Sequence, residues 1–183
     1  YMLGSCQPAA SGGRIFYGAV APKLYYIFND GSTDATGCAG RAFADFHRKN
    51  PRFAASPDGK WLYVVDGATD GRVASQAVWR CAADGDDPGK VFVGERGKPG
   101  SDNSHFGQTT GVDCDAQGRL YVCDYTNNRI QVFSPEGGWL KTVPLERPAL
   151  VKVHGKTGAL YVLHDARVEG KSYQRVIKTE GDD

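Results

Sequence analysis

Apolar positions along the chain fall into short runs separated by polar turns rich in glycine. No stretch shows the three-to-four spacing of an amphipathic helix, so the pattern predicts strands throughout. Three segments repeat one turn and strand: Ser56-Pro-Asp-Gly-Lys-Trp-Leu-Tyr-Val-Val-Asp66, Asp115-Ala-Gln-Gly-Arg-Leu-Tyr-Val-Cys-Asp124 and Gly155-Lys-Thr-Gly-Ala-Leu-Tyr-Val-Leu-His-Asp165. In each, Leu-Tyr-Val follows a glycine able to take the positive φ of a tight hairpin. Each strand is expected to end at its Asp, whose carboxylate can accept from nearby backbone donors. Runs such as Leu62-Tyr63-Val64-Val65 lack polar alternation, as strands covered on both faces do.

A second element recurs between these units. Short apolar strands run into Asn29-Asp30-Gly31, Ala83-Asp84-Gly85, Pro135-Glu136-Gly137 and Thr179-Glu180-Gly181. Self-similarity with a period of a few tens of residues is the mark of a blade-type repeat. The third unit is the most regular, with strands expected over Thr110–Cys114, Arg119–Cys123, Arg129–Phe133 and Trp139–Val143. Four short antiparallel strands make one blade, so the fold class predicted is all-β, a β-propeller. The blades fall at 13–50, 51–97, 106–146 and 147–183. Two loops interrupt blade two, Gly67–Ser75 and the polar stretch Gly94–His105. Loops of that length are mobile or bind, and mobility is the expectation here.

Composition narrows the function classes. The 183 residues carry 22 basic and 21 acidic side chains, a formal charge of +1, which gives no electrostatic footprint for a nucleic acid. No apolar run reaches the length of a membrane span. The five cysteines form no Cys-x-x-Cys pair. Cys114 and Cys123 lie on two arms of one hairpin but about 10 Å or more apart along it, too far for a disulfide. Cys6 and Cys38 are free to pair in an oxidising compartment, and the compartment itself stays open. The carboxylate turns Asp84–Asp87 and Gly181–Asp183 lack regular calcium-ligand spacing and read as solvated. Gly155-Lys156-Thr157 lacks the upstream glycines of a phosphate loop and reads as a hairpin turn. No cofactor is implied by any motif.

The segment Asp124-Tyr-Thr-Asn-Asn-Arg-Ile-Gln-Val-Phe133, followed by Ser-Pro-Glu-Gly137, resembles an NHL repeat. The resemblance is best over Gly111–Val143, weaker over Pro51–Val93 and partial over Pro148–Gly181. It implies an NHL-type propeller, mostly six-bladed, of which about four blades are visible. A chain this short is then part of a longer protein, self-associates, or closes as four blades; its abrupt start and end favour the first. Residues Pro99 to Val112, with Arg129-Ile130 and Phe133-Ser-Pro135, are also similar to the lyase propeller of peptide-amidating enzymes. That family holds a catalytic zinc on histidines that follow a proline at the start of blade strands. The matching positions here read Pro51-Arg52, Thr109-Thr110 and Pro148-Ala149, without a histidine, and His47, His105, His154 and His164 fall elsewhere in the repeat. The lyase's disulfide cysteines match Gly107 and Thr126, and its catalytic tyrosine matches Tyr125. The reading is therefore a non-catalytic binding scaffold for a protein, peptide or glycan partner. A metal-dependent lyase-like or lactonase-like propeller enzyme is the alternative. Three residues are candidates for touching a ligand: Tyr125, Arg52 at an axis-facing strand start, and Asp113, which is also expected to be an ion-pair partner for Arg52.

Overall fold

The computed structural model describes residues 51–66, 76–82 and 89–179, together with the backbone of four strands within residues 1–50. Cys6, Cys38, His47, the Gly67–Ser75 loop, the Asp84–Asp87 and Gly181–Asp183 clusters, and the turns at Asp30-Gly31, Asp84-Gly85 and Glu180-Gly181 lie outside the described residues. What is described is all-β. Four sheets follow one another along the chain, each an antiparallel meander in sequence order.

Sheet one is β1 (Ala9–Ser11), β2 (Arg14–Gly18), β3 (Lys23–Phe28) and β4 (Ala39–Ala42). Sheet two is β5 (Pro51–Ala55), β6 (Trp61–Asp66), β7 (Ala77–Ala82) and β8 (Lys90–Gly94). Sheet three is β9 (Thr109–Cys114), β10 (Leu120–Asp124), β11 (Arg129–Phe133) and β12 (Trp139–Pro144). Sheet four has three strands, β13 (Pro148–Val153), β14 (Leu160–Val168) and β15 (Lys171–Thr179). The first strands of neighbouring sheets touch, β1 on β5, β5 on β9 and β9 on β13, whereas the last strands do not come together in this way. Sheets that converge along one edge and splay along the other are blades around an axis. The fold is a β-propeller.

The repeated Leu-Tyr-Val strand explains how blades stack. Successive side chains of a strand point to opposite faces. On β10, Leu120 and Val122 join Ala54, Tyr63, Val65 and Val78 of blade two. Tyr121 and Cys123 join Val151, Leu160 and Val162 of blade four. One strand thus serves two cores, which is why all five of its residues are buried and polar alternation is missing. Each fully buried Val or Leu contributes roughly 1.5–3 kcal/mol to holding blades together. Where the first strands crowd the axis, side chains must shrink: a Cβ on Gly111 would meet the Leu150 Cα and the Ala149 carbonyl of β13.

Two expectations need correction. Strand β14 does not end at Asp165 but runs on to Val168. The reason is a hairpin turn at Glu169-Gly170, both at positive φ, which lets β14 and β15 pair over nine residues each. The loop after Gly94 is also not left loose, as shown below. The hairpin arithmetic for the cysteines holds: Cys123 lies opposite Gly111 while Cys114 lies opposite Leu120, and Cys81, Cys114 and Cys123 are free thiols.

Burial pushes the Cys114 thiol up to about 12, helped by the Asp115 and Asp113 carboxylates, and pushes Cys123 up as well. Burial followed by Asp115 likewise lifts the Tyr121 phenol to about 12. A group whose folded pKa is raised contributes its stability fully below the unfolded value and loses it as pH climbs. Resistance to urea should therefore fall between about pH 9 and 12, the span from an ordinary thiol to the raised one. Cys114→Ala should make that fall shallower in midpoint-versus-pH measurements, and an unchanged slope would refute the assignment.

Candidate functional site

The starts of β5, β9 and β13, and the β10–β11 connection, lie at one end of the blades. This end collects Arg52, Thr110, Ala149 and Tyr125. It is also where the chain between β8 and β9 arrives.

That connecting segment, residues 95–108, is fastened by a buried cluster on blade three. Asp124 is wholly buried at the end of β10. Its Oδ1 accepts from the backbone N–H groups of Gly107 (2.9 Å) and Gln108 (3.3 Å). Its Oδ2 accepts from Asn127 Nδ2 and from Arg129 Nε, both at 2.8 Å. Arg129, at the start of β11, turns its two remaining nitrogens onto the carbonyls of Ser101 (2.7 Å), Asp102 (2.8 Å) and His105 (2.9 Å). Asn127 donates further to the Gly100 carbonyl at 2.7 Å. A planar guanidinium with five fixed donors suits this role, and a lysine would not span it. The expectation of a mobile loop fails because four of its backbone carbonyls, those of Gly100, Ser101, Asp102 and His105, are met by one arginine and one asparagine. Gly107 packs directly on Thr126.

Tyr125 opens the one-turn 3-10 helix Tyr125–Asn127 and donates its hydroxyl to Asp165 Oδ2 on β14 at 2.5 Å. That hydrogen bond ties blade three to blade four, and together with burial it raises the phenol's pKa. Asp165 was not singled out from sequence as a partner, and a spacing of 40 residues leaves no local signal for it.

Asp113 does not pair with Arg52. It stands toward the far end of β9, opposite Tyr121, where it accepts from Lys152 Nζ (3.0 Å) and the Val153 backbone N–H (2.7 Å) of β13. Distance along the strand separates it from the level of Arg52. The Arg52 guanidinium is half-buried, and no hydrogen bond or ion pair with a described residue engages it. Burial lowers its pKa, and the neighbouring Cys123 thiol works in the opposite direction. A cation partly stripped of water, with no counter-charge among the described residues, offers its N–H donors to an anion.

Histidines are dispersed. His105 bonds Asp102 at 2.9 Å, His154 bonds Thr157 at 2.9 Å, and His164 bonds the Glu146 carbonyl at 3.1 Å. Among the described residues no three His, Cys, Asp or Glu side chains converge as a metal site would require.

A family model described as the SMP-30/gluconolactonase/LRE-like region matches residues 52–164. The chain belongs to the SMP-30/gluconolactonase/LRE-like family. That match takes in blades two and three and the first half of blade four, and so it covers Arg52, Tyr125 and Asp113. No curated protein sequence matches the chain. Among solved structures, it is similar to a calcium-binding regucalcin from Agrobacterium tumefaciens strain C58, with 18% identity and a TM-score of 0.58, over 93% of this chain and 59% of that one. It is similar to a luciferin-regenerating enzyme at 17% identity and a TM-score of 0.61, over 96% of this chain and 60% of that one. Hydrazine synthase of Kuenenia stuttgartiensis matches at 15% identity and a TM-score of 0.58, over 98% of this chain and 48% of that one. At such identities the likeness shows the fold alone. This family member spans less than two thirds of the length of each of those structures.

A calcium ion such as the regucalcin relative binds asks for several converging oxygen ligands. The described strand starts offer instead a guanidinium, the Thr110 hydroxyl (which donates to the Pro148 carbonyl at 2.9 Å) and an alanine. That set does not fit a divalent cation.

Proposed function

We propose that this chain is a ligand-binding propeller of the SMP-30/gluconolactonase/LRE-like family, whose end at the strand starts takes an acid-bearing molecule on Arg52. The observation that carries the reading is the half-buried guanidinium at the start of β5, which no described residue pairs. The ligand is a small hydroxylated carboxylic acid or an acidic group of a protein, peptide or glycan partner, with Tyr125 at the rim; Asp113, taken up by Lys152 toward the far end of β9, stands apart from it. NHL-type blade motifs around Asp124–Gly137 and the likeness to amidating lyases belong to this proposal as a reading of the repeat. Family membership also favours a second reading, a lactonase-like hydrolase whose metal is held by residues outside the described ones.

Calorimetric titration of the purified chain with gluconate, and separately with a glutamate-rich peptide, tests the first reading against uncharged glucose. A charge-assisted hydrogen bond is worth about 1.5–3 kcal/mol, so Arg52→Met should weaken the bound acid roughly 10- to 100-fold. Acid binding that Arg52→Met leaves unchanged, or none at all, sinks it. Turnover of gluconolactone that requires an added divalent cation would select the second reading.

A further inference from the structure

The opposite end of blades three and four holds a cleft of about 420 Å³ that the proposed function does not use. It lies between the β9–β10 turn and the β13–β14 turn, lined by Asp115, Gln117, Arg119, His154, Lys156 and Thr157 among others. That volume is within the range of about 300–1,000 Å³ typical of small-molecule sites.

The acidic groups at this end are already committed. Asp115 is buried and saturated: Oδ1 accepts from the backbone of Gln117 (3.0 Å) and Arg119 (2.8 Å), and Oδ2 from Arg119 Nε (2.6 Å) and the Tyr121 hydroxyl (3.2 Å). Asp113 is matched by Lys152 on β13. Two of the bases, Arg119 and Lys156, are not fully matched by described residues. Arg119 gives only its Nε to Asp115, so the outer edge of its guanidinium remains for another acceptor. Lys156 stands exposed on its turn with no hydrogen bond or ion pair to a described residue. Lys141 of β12 is close enough to Arg119 that, after burial, repulsion from that guanidinium is the next cause lowering its pKa. The β13–β14 turn is wound by the N–H groups of Thr157 and Gly158 on the His154 carbonyl. His154 in turn bonds Thr157 Oγ1 through Nδ1 at 2.9 Å.

From these positions we infer that the cleft between the two turns binds a multiply charged oxyanion, such as the phosphate of a small phosphorylated molecule, on Arg119 and Lys156. Arg119 supplies a planar pair of donors held in place by Asp115, and Lys156 supplies a mobile point charge. Carboxylate competition is low because Asp115 and Asp113 face their own donors.

Titration of the whole chain with inorganic pyrophosphate at low ionic strength is the test. Pyrophosphate should bind, sulfate should bind more weakly, and Lys156→Gln should weaken pyrophosphate at least fivefold while circular dichroism stays unchanged. Arg52→Met, at the other end of the blades, should leave pyrophosphate affinity intact, so loss of the gluconate site and loss of this one are separable. No pyrophosphate binding, or binding that Lys156→Gln does not alter, overturns the inference. So does a pyrophosphate affinity that falls with Arg52→Met instead.

Discussion

Asp124→Ala should be among the most damaging single substitutions in the chain, lowering unfolding free energy by about 3–5 kcal/mol in urea titrations, the cost typical of stranding one member of a buried ion pair. The carboxylate is fully buried and its partner Arg129 is only 9% exposed, so nothing but the protein can neutralise the guanidinium. Two backbone N–H groups, those of Gly107 and Gln108, lose their acceptor at the same time. The double variant Asp124→Ala/Arg129→Met should cost less than the sum of the two singles, because it removes the orphaned charge. Additivity would mean the pair does not act as a unit. Tryptic cleavage after Arg96, in the connecting segment that Arg129 fastens, should accelerate in either single variant.

Gly94→Ala should cost about 2–4 kcal/mol, combining a left-handed backbone with forced displacement of packed neighbours. Gly94 ends β8 at φ +82°, and a Cβ there would drive into the Gln76 carbonyl oxygen and the ring of Phe106. The backbone oxygen has no alternative position, since Gln76 O accepts from the Glu95 N–H at 3.2 Å. Phe106 is locked in turn, 1% exposed and tilted against Phe133 at 5.8 Å between centroids. Gly97→Ala is the control: its φ is +77° but nothing lies within 4 Å, so only the backbone part of the cost should remain. Equal thermal shifts for the two variants would argue against the packing part.

Both positions show what the sequence could and could not convey. The strands of blade three were legible because Gly118-Arg-Leu-Tyr-Val and Arg129-Ile-Gln-Val-Phe133 carry turn chemistry and apolar runs locally; the observed β9–β12 differ by a residue or so at their ends. The hairpin at Glu169-Gly170 was missed although it repeats the acidic-glycine turn seen at Glu136-Gly137, because the expectation of a strand stop at Asp165 hid it. Long-range polar pairing was not legible at all. Asp113 finds Lys152, and Tyr125 finds Asp165, across 39 and 40 residues, where stacking of blades decides the partner and periodicity is silent. Arg52 stands at a strand start as expected, yet that no described residue pairs it needed coordinates.

Arg129 also fixes an order of events. It holds the carbonyls of residues that precede it by 24 to 28 positions, so the segment around Ser101–His105 cannot acquire its shape while the chain is still being synthesised up to that point. Translation must deliver β11 before the earlier loop has anything to close upon. A nascent chain halted ahead of Arg129 would therefore carry that loop as an open, cleavable tether until β11 has emerged and paired in its sheet.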